Sequence, residues 1–250
     1  MESTPSLTGY SSSQVGSSYE SWEPYQIPRF PDDLIVLEWT KIASGAHGEI
    51  RKIKVKPHEE ERIVCLKLFT QQFYDAYERE RSAYTMMIHR GVKRCIPYVY
   101  YRGELPRSKW DGNQPDDYNI FDSEEILYGL VMDYFEDCEP LDLRKVDIHI
   151  AELLSSTLSL IHQAGVQHND IAERNILLVR EDGTVRIVWI DFSCAWTGKV
   201  YADFRCPGDW NMFVGFLYKT LVTPRVDRRL MNRFQINFRS KNSGENFPHG

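Results

Sequence analysis

The 250-residue sequence lacks a long apolar run and a signal-like start, and it carries no excess of positive charge. No apolar stretch approaches the length of a membrane span. Residues 1–26 have neither the basic start nor the apolar centre of a secretory signal. The net charge of -6 gives no electrostatic support to nucleic-acid binding. We therefore expect a protein with no membrane partner and no nucleic-acid partner.

Cysteine is also scarce, and the spacing of the cysteines bears on which kinds of site the protein can contain. The five cysteines are odd in number and scattered, and none of them forms a C-x-x-C pair. This pattern disfavours a disulfide framework or a zinc site and is typical of a reducing compartment. We expect a cytoplasmic or nuclear location.

The sequence does contain enough apolar material for a sizeable core, with 42% hydrophobic and 13% aromatic residues. Residues 1–26 are rich in Ser, Tyr and Gly and show no hydrophobic period, which predicts a disordered tail. Residues 240–250 are polar and predict a flexible C-terminal tail. The folded domain is therefore expected over residues 27–239.

The hydrophobic pattern divides this domain into a β-rich first half and a helical second half, joined near residues 133–137. The first half predicts five strands, at 34–39, 49–55, 62–69, 98–102 and 126–132, and one helix at 71–89. A polar segment at 104–125 predicts an exposed insertion. The second half predicts helices at 147–163, capped by Gly165, and at 209–222. The expected fold class is α+β.

The most informative segment is HNDIAERN at positions 168–175, which is followed by IDFS at positions 190–193. Asp170 and Asn175 are five residues apart in the order H-x-D-x-x-x-x-N. Between the two segments, Asp182-Gly183 separates two β-branched runs, which is a strong hairpin signal. The hairpin brings Asn175 and Asp191 to the same end of a two-stranded ribbon. Two oxygen ligands side by side suit Mg²⁺.

The 168–175 segment resembles the catalytic loop of the protein-kinase-like superfamily, and Asp191-Phe192-Ser193 resembles its metal-binding DFG triplet with serine in place of glycine. Residues 35–222 as a whole are similar to short fungal protein kinase-like proteins. The resemblance implies a two-lobed fold, with a small lobe of β-sheet and one helix over about 27–133 and a shortened, mainly helical lobe over about 138–239. It also implies ATP and Mg²⁺ as cofactors and transfer of the γ-phosphoryl group to a hydroxyl.

Upstream segments supply two further parts that the resemblance requires. IASGAHGEI at 42–50 resembles the glycine-rich phosphate loop, with Gly45 and Gly48 kept and Ala43 in place of the first glycine. VCLK at 64–67 resembles V-A-I-K, which implies that Lys67 contacts phosphate oxygens. A lysine on a buried strand also needs a carboxylate partner.

The helix at 71–89 offers Glu78 and Glu80 as that partner. Tyr84 lies one turn beyond Glu80 and Tyr77 nearly one turn before it, so Glu80 belongs to the stripe that faces the sheet. Glu78 points about 200° away around the helix. We therefore predict that Lys67 pairs with Glu80.

The remaining roles come from the resemblance alone. LVMDYF at 130–135 resembles the strand-to-hinge segment, which implies that Met132 borders an adenine pocket and that the main chain of Asp133 and Phe135 binds the base. In the same way Asp170 is implied as base or orienter of the acceptor hydroxyl, and Asn175 and Asp191 as Mg²⁺ ligands.

Arg174 and His168 complete the expected site. Tyrosine kinases and many small fungal kinase-like proteins have a similar D-[LI]-A-x-R-N loop, which implies that Arg174 supplies positive charge near the transferred phosphoryl group. His168 is expected to organise the loop by packing and hydrogen bonding. Asp209 or Asp203 is expected to anchor the loop from below.

Four features depart from the family pattern: Ala43, Ser193, Asn169 in place of the usual Arg, and the lack of an A-P-E triplet before the last helices. Without that Arg, regulation by a phosphorylated activation loop is not expected. Three functions stay open: a kinase acting on a protein hydroxyl, which is favoured, a small-molecule kinase resembling aminoglycoside and choline phosphotransferases, and a pseudokinase that binds nucleotide or partners without catalysis. The acceptor itself is not identified.

Overall fold

A computed structural model describes residues 25–31, 36–55, 61–106, 126–198, 208–209, 212–213 and 215. In this part of the chain, five antiparallel strands form a sheet in the order β1-β2-β3-β5-β4. The strands are β1 (Val36–Ser44), β2 (Glu49–Val55), β3 (Arg62–Phe69), β4 (Val99–Pro106) and β5 (Ile126–Asp133). Together with the two α-helices of the described residues, this sheet gives the predicted α+β composition.

Two of the strands are longer than the sequence pattern predicted. β4 runs past its predicted end at residue 102 to Pro106, because Leu105 and Pro106 pair with Leu127 and Ile126 of β5. The first residues of the segment predicted as an insertion are therefore strand, and its remainder lies outside the described residues. β1 likewise runs on to Ser44 through part of the glycine-rich segment.

Helix α1 (Tyr74–His89) follows β3 through a single 3-10 turn at Gln71–Phe73, so the predicted start at residue 71 falls in that turn. The helix buries one stripe against the sheet: Ala76, Tyr77, Glu80, Ala83, Tyr84 and Met87. It ends because Gly91 adopts a φ of 78°, and the Gly91 N–H donates to the carbonyl of Ile88 at 3.0 Å. The period of the stripe matches the sequence prediction.

Helix α2 (Ile148–Gln163) has caps at both ends. The Asp147 carboxylate accepts a hydrogen bond from the Ile150 N–H at 2.8 Å, which satisfies one of the free donors of the first turn. At the other end Gly165 adopts a φ of 79° and donates to the carbonyl of His162 at 2.8 Å, as predicted for a C-terminal cap. Of the helix predicted at 209–222, only residues 209, 212, 213 and 215 are described.

The predicted hairpin is present as β8 (Ile176–Glu181) and β9 (Thr184–Trp189). Its turn is made by Asp182 and Gly183, with φ values of 50° and 75°. Positive φ at both central residues is the twist that favours a two-residue hairpin. A short strand, β6 (Cys138–Pro140), adds to β8, while β7 (Val166–Gln167) pairs with β10 (Trp196–Thr197).

Buried side chains form two clusters. The larger one joins α1, α2 and the hairpin and includes Tyr84, Met87, Leu154, Leu158 and Trp189. The smaller one covers the other face of the five-stranded sheet: Ile53, Val55, Val64, Leu66, Leu68, Leu105, Leu127 and Val131. Because the larger cluster runs from α1 to the hairpin, it fixes the position of the residues that follow β3, α1 and β9.

Residues 25–31 lie along β4, where Arg29 pairs with Arg102. The Phe30 N–H donates to the Arg102 carbonyl at 3.1 Å, and the Arg102 N–H donates to the Pro28 carbonyl at 2.9 Å. Ile27 is buried in the larger cluster, and Phe30 packs against the smaller one. The segment therefore belongs to the folded part of the molecule.

Two features of the described residues bear on membrane insertion and on cysteine pairing. No α-helix among the described residues has both the length and the apolar character needed to cross a bilayer. Four cysteines lie in the described ranges, Cys65, Cys95, Cys138 and Cys194, and each of them is a free thiol.

Candidate functional site

Lys67, Glu80 and Asp191 meet although they lie on three different elements. The Lys67 ammonium Nζ lies 2.6 Å from Glu80 Oε2 and 2.8 Å from Asp191 Oδ1. Lys67 comes from β3, Glu80 from the buried stripe of α1, and Asp191 follows the last strand of the hairpin. Glu78 instead pairs with Arg81 on the same helix. The contact between Lys67 and Glu80 is the one that helical spacing indicated.

The three charges perturb one another strongly. Burial alone lowers the pKa of the Lys67 ammonium, but the carboxylates of Glu80 and Asp191 outweigh it and raise that pKa. Burial raises the pKa of Glu80 to about 7, against the opposing charge of Lys67. Burial also acts to raise the pKa of Asp191, yet Lys67 and the hydrogen bonds of Ser193 lower it. With all three groups ionised, the cluster has one more negative than positive charge, which suits a cation.

The hairpin places Asn175 beside Asp191. The Ile190 N–H donates to the Asn175 carbonyl at 3.0 Å, so Asn175 lies level with the residue before Asp191. Asp191 has a φ of 61°, a left-handed conformation that is uncommon for a residue other than glycine. Strained backbone of this kind concentrates at functional sites, where the surrounding contacts enforce it.

Asn175 and Asp191 fit the donor set of a magnesium site. Among the described residues, the contacts of the Asp191 carboxylate all use Oδ1, and those of the Asn175 side chain all use Nδ2. One carboxylate oxygen and one amide oxygen are therefore available to a hard cation. No group of three or more His, Cys, Asp or Glu side chains in the described ranges has metal-binding geometry. Phosphate oxygens and water would have to complete the coordination of a metal ion held by Asn175 and Asp191.

Asp170 is held by two residues of its own loop. Arg174 Nη2 donates to both carboxylate oxygens of Asp170, at 2.9 and 2.8 Å. Asn175 Nδ2 donates to the Asp170 carbonyl and to Oδ2, each at 2.8 Å. Asp170 and Arg174 both reach solvent, whereas Asn175 is buried. The three residues thus form one network with a solvent-facing carboxylate.

His168 organises this loop from inside the protein. Its Nε2–H donates to the Ile190 carbonyl at 3.0 Å, while its Nδ1 accepts from the Asp170 N–H at 3.3 Å. This pattern requires the neutral Nε2–H tautomer. Burial lowers the pKa of His168, which favours the same neutral form.

Asp209 anchors the loop from below. Its fully buried carboxylate accepts from the backbone N–H of His168 at 2.5 Å and of Asn169 at 2.7 Å, and it lies 3.1 Å from His162 Nε2. The sequence suggested Asp209 or Asp203 for this position. Asp203 lies outside the described residues, and the contacts above belong to Asp209.

An aromatic stack links the loop to α1. Phe192 is fully buried, with its ring centroid 4.6 Å from that of His168 and 5.2 Å from that of Tyr84. Tyr84 lies one helical turn from Glu80. The side chain next to Asp191 therefore packs against the helix that carries the carboxylate partner of Lys67.

The glycine-rich turn connects β1 and β2. The Gly45 N–H donates to the Gly48 carbonyl at 2.8 Å, which closes the turn. A Cβ at Gly48 would clash with the carbonyl oxygen of Leu68 on β3, whereas a Cβ at Gly45 would meet only the Gly48 carbonyl oxygen, at 3.8 Å. Gly48 is therefore required by backbone packing, and Gly45 is not.

The expected hinge residues follow β5. Met132 is buried, and it pairs with Cys65 and Val99 on the neighbouring strands. The Asp133 N–H donates to the Tyr98 carbonyl at 3.0 Å, and the Phe135 carbonyl accepts from the Cys138 thiol at 3.2 Å. The Asp133 N–H and the Phe135 carbonyl are thus already engaged within the protein.

Ser193 makes a set of contacts that the sequence did not predict. The Ser193 hydroxyl lies 2.6 Å from Asp191 Oδ1 and 3.1 Å from His47 Nδ1, and Arg79 Nε donates to the Ser193 carbonyl at 2.7 Å. The available signal was that serine stands where the family pattern has glycine. His47 and Arg79 offered no such signal.

Comparison with known proteins gives one informative match. The sequence is 29% identical over 169 residues to serine/threonine-protein kinase ppk31 of Schizosaccharomyces pombe. The matched stretch is 64% of this chain but spans only 14% of that protein. No protein family model matches the sequence. The match supports a distant kinase-like relationship.

Proposed function

We propose that this protein is an ATP- and Mg²⁺-dependent phosphotransferase that transfers the γ-phosphoryl group to a hydroxyl of a protein. The observation that carries the proposal is the position of Lys67, whose ammonium contacts the carboxylates of both Glu80 and Asp191. One carboxylate would be enough to pair with a buried lysine. The second carboxylate, that of Asp191, is 31% exposed and provides negative charge for a cation beside a phosphate-binding ammonium.

The proposed organisation is two-lobed, with a nucleotide cleft between a small lobe over about 27–133 and a mainly helical lobe over about 138–239. In this arrangement residues 240–250 are a tail, and the predicted tail at residues 1–26 excludes Tyr25 and Gln26, which belong to the segment along β4. The five-stranded sheet with α1 is compatible with the small lobe. A cytoplasmic or nuclear location, expected from the cysteine pattern, is part of the same proposal.

The positions of the following residues support the proposed nucleotide-binding roles. Gly45 and Gly48 allow the β1–β2 turn to approach phosphate oxygens, and Lys67, oriented by Glu80, contacts them. Met132 borders the base, which hydrogen-bonds to the main chain of Asp133 and Phe135. Such sites act chiefly by positioning and electrostatics.

Asn175 and Asp191 hold the metal ion. When bound, Mg²⁺ neutralises charge on the phosphate oxygens and fixes their orientation. Asp191 is suited to this task because its lowered pKa keeps the carboxylate ionised at neutral pH. Asn175 is held by its amide nitrogen, so its oxygen is the atom available for coordination.

Asp170 orients the acceptor hydroxyl and takes its proton. A bond forms between the acceptor oxygen and the γ-phosphorus, the bond from that phosphorus to the bridging oxygen breaks, and ADP leaves. Arg174 lies against Asp170 and faces solvent, so its charge is available to the equatorial oxygens of the transferred group. A protein hydroxyl is the preferred acceptor because the similar yeast protein is named a serine/threonine-protein kinase.

The first test measures nucleotide binding as a shift in melting temperature with AMP-PNP, with and without Mg²⁺. We expect a shift that requires Mg²⁺ and is lost in Lys67→Ala and Asp191→Ala. Lys145→Met, which removes an exposed lysine paired with Glu139 at 3.6 Å, is the matched control. Binding that survives both site substitutions undiminished would contradict the proposed function.

The second test measures transfer of labelled γ-phosphate from ATP to a protein pool and, separately, to a metabolite pool. Asp170→Asn should retain Mg²⁺-dependent binding and lose at least about 100-fold in transfer, since removal of a proton acceptor typically costs 10²–10⁴-fold. Asp182→Asn, in the exposed hairpin turn, should transfer at the wild-type rate. Label in the metabolite pool alone would indicate a small-molecule kinase, and binding without transfer to either pool would indicate a pseudokinase.

A further inference from the structure

Ser193 occupies a junction that no assigned role accounts for. It is buried, and three elements reach it: the β1–β2 turn through His47, helix α1 through Arg79, and the hairpin end through Asp191. The contact from Arg79 goes to the Ser193 carbonyl, so it does not depend on the side chain. The contacts to His47 and Asp191 both use the hydroxyl.

The direction of these hydrogen bonds can be assigned. An ionised carboxylate only accepts, so the Ser193 hydroxyl donates its one proton to Asp191 Oδ1 at 2.6 Å. The hydroxyl oxygen must then accept from His47, and the Nδ1 of His47, 3.1 Å away, carries the proton. The result is a directed chain from the glycine-rich turn, through Ser193, to the carboxylate of Asp191.

This chain affects which oxygen of Asp191 faces a cation. Lys67 and the Ser193 hydroxyl both contact Oδ1, and the Ser193 N–H lies 3.4 Å from the same atom. A carboxylate with a single anchor can turn about its Cβ–Cγ bond and exchange its oxygens. A second short anchor on Oδ1 opposes that rotation and leaves Oδ2, which has no hydrogen bond within the described part of the chain, as the oxygen available to a cation.

We propose that Ser193 is a positioning residue that presents Oδ2 of Asp191 to Mg²⁺, and that His47 couples closure of the glycine-rich turn to this position. The role presupposes the Mg²⁺–nucleotide binding proposed above. A glycine at this position has no hydroxyl and could form neither bond. The serine is therefore a functional feature of this chain and not a neutral replacement.

The test titrates Mg²⁺ against AMP-PNP binding by calorimetry, using wild type, Ser193→Ala and a control. Loss of groups that orient a metal ligand typically weakens metal affinity 10–100-fold, so Ser193→Ala should raise the Mg²⁺ concentration for half-maximal binding at least about 10-fold. At saturating Mg²⁺ the extent of AMP-PNP binding should reach the wild-type level, which a general loss of structure would not permit. Ser156→Ala, which removes an exposed hydroxyl bonded to its own helix at Leu153, should match wild type.

His47→Phe supplies a second, milder variant. It removes the Nδ1 donor but keeps an aromatic ring against Phe73, whose centroid lies 5.6 Å from that of His47. It should raise the Mg²⁺ concentration for half-maximal binding by a smaller factor than Ser193→Ala does. If Ser193→Ala does not fold, His47→Phe provides the test by itself. Wild-type Mg²⁺ dependence in both variants would overturn this role alone. AMP-PNP binding by wild type that is indifferent to Mg²⁺ would overturn the proposed function along with it.

Discussion

Asp209 and His168 lie 41 residues apart in the sequence, yet the His168 backbone N–H donates to Asp209 Oδ2 over 2.5 Å. The other carboxylate oxygen accepts from the Asn169 N–H at 2.7 Å. Asn169 has a φ of 60°, so the loop bends sharply where Asp209 holds it. The carboxylate is fully buried, so water cannot replace it.

Asp209→Ala should therefore be strongly destabilising. The buried N–H of His168 and the part-buried N–H of Asn169 lose their acceptor, at about 1–3 kcal/mol each, so the free energy of unfolding should fall by roughly 2–6 kcal/mol. Asp147→Ala also removes an aspartate acceptor, but this aspartate caps α2 at the surface, and the loss should be about 1 kcal/mol. Guanidinium denaturation of the two variants checks this. Equal losses would argue against Asp209 as an anchor.

The cluster at Lys67 should show strong coupling in a double-mutant cycle. Lys67→Met leaves Glu80 buried without its cation, which typically costs about 3–5 kcal/mol of unfolding free energy. Adding Glu80→Gln removes the stranded charge, so the double variant should be more stable than the sum of the single losses predicts. Urea denaturation of all four proteins measures the coupling. Additive losses would mean that the two side chains do not stabilise each other.

The two glycines of the β1–β2 turn should respond differently to alanine. Gly48→Ala forces its Cβ against the backbone carbonyl of Leu68, so β2 or β3 must shift, with an expected loss of about 1–3 kcal/mol in unfolding free energy. Gly45→Ala would make only an ordinary contact with the Gly48 carbonyl oxygen, at 3.8 Å, and should change stability by less than about 1 kcal/mol. Thermal unfolding of the pair provides the comparison, with each variant serving as control for the other. A larger loss at Gly45 would contradict the packing seen at Gly48.

His168 should make stability depend on pH. Burial lowers its pKa below 6.5, although the carboxylates of Asp209, Asp191 and Asp170 act in the opposite direction. Just below pH 6.5 the unfolded chain thus binds a proton that the folded chain does not, and the free energy of unfolding should fall as pH falls, by at most about 1.4 kcal/mol per pH unit. The contribution is fully present above pH 6.5.

Denaturation at a series of pH values, for wild type and His168→Phe, measures this contribution. The variant has no imidazole to protonate, so its stability should decline less steeply between pH 6.5 and 5. An NMR titration that follows the His168 ring should show a pKa below 6.5. Equal slopes of the free energy of unfolding against pH in the two proteins would show that His168 is not the source of the pH dependence.

The parts that the sequence predicted well were set by local rules. The Asp182-Gly183 pair dictated the hairpin turn, and the spacing of Glu80 and Tyr84 identified the buried stripe of α1. Gly165 marked the end of α2 because a left-handed residue there is favourable only for glycine and a few others. The catalytic and metal-binding roles of the site residues stay predictions.

The features that the sequence did not predict depend on contacts between residues far apart in the chain. β4 extends to Pro106 because a partner strand is present, which the composition of residues 103–106 does not reveal. The contacts of Asp209 with the backbone of His168 and Asn169 join residues about 40 positions apart, which no local pattern encodes. The contacts of Ser193 join residues as far apart as positions 47 and 193, and no periodic pattern encodes a contact of that range.

The segment at residues 25–31 determines which N-terminal truncations of this protein should keep the sheet edge closed. β4 is the outermost strand of its sheet, and at Arg102 both its N–H and its carbonyl are already occupied by Pro28 and Phe30. A chain that begins at residue 32 would expose these groups, and unpaired strand edges recruit other chains and aggregate. A chain that begins at residue 25 keeps the edge closed and should remain monodisperse under the same conditions.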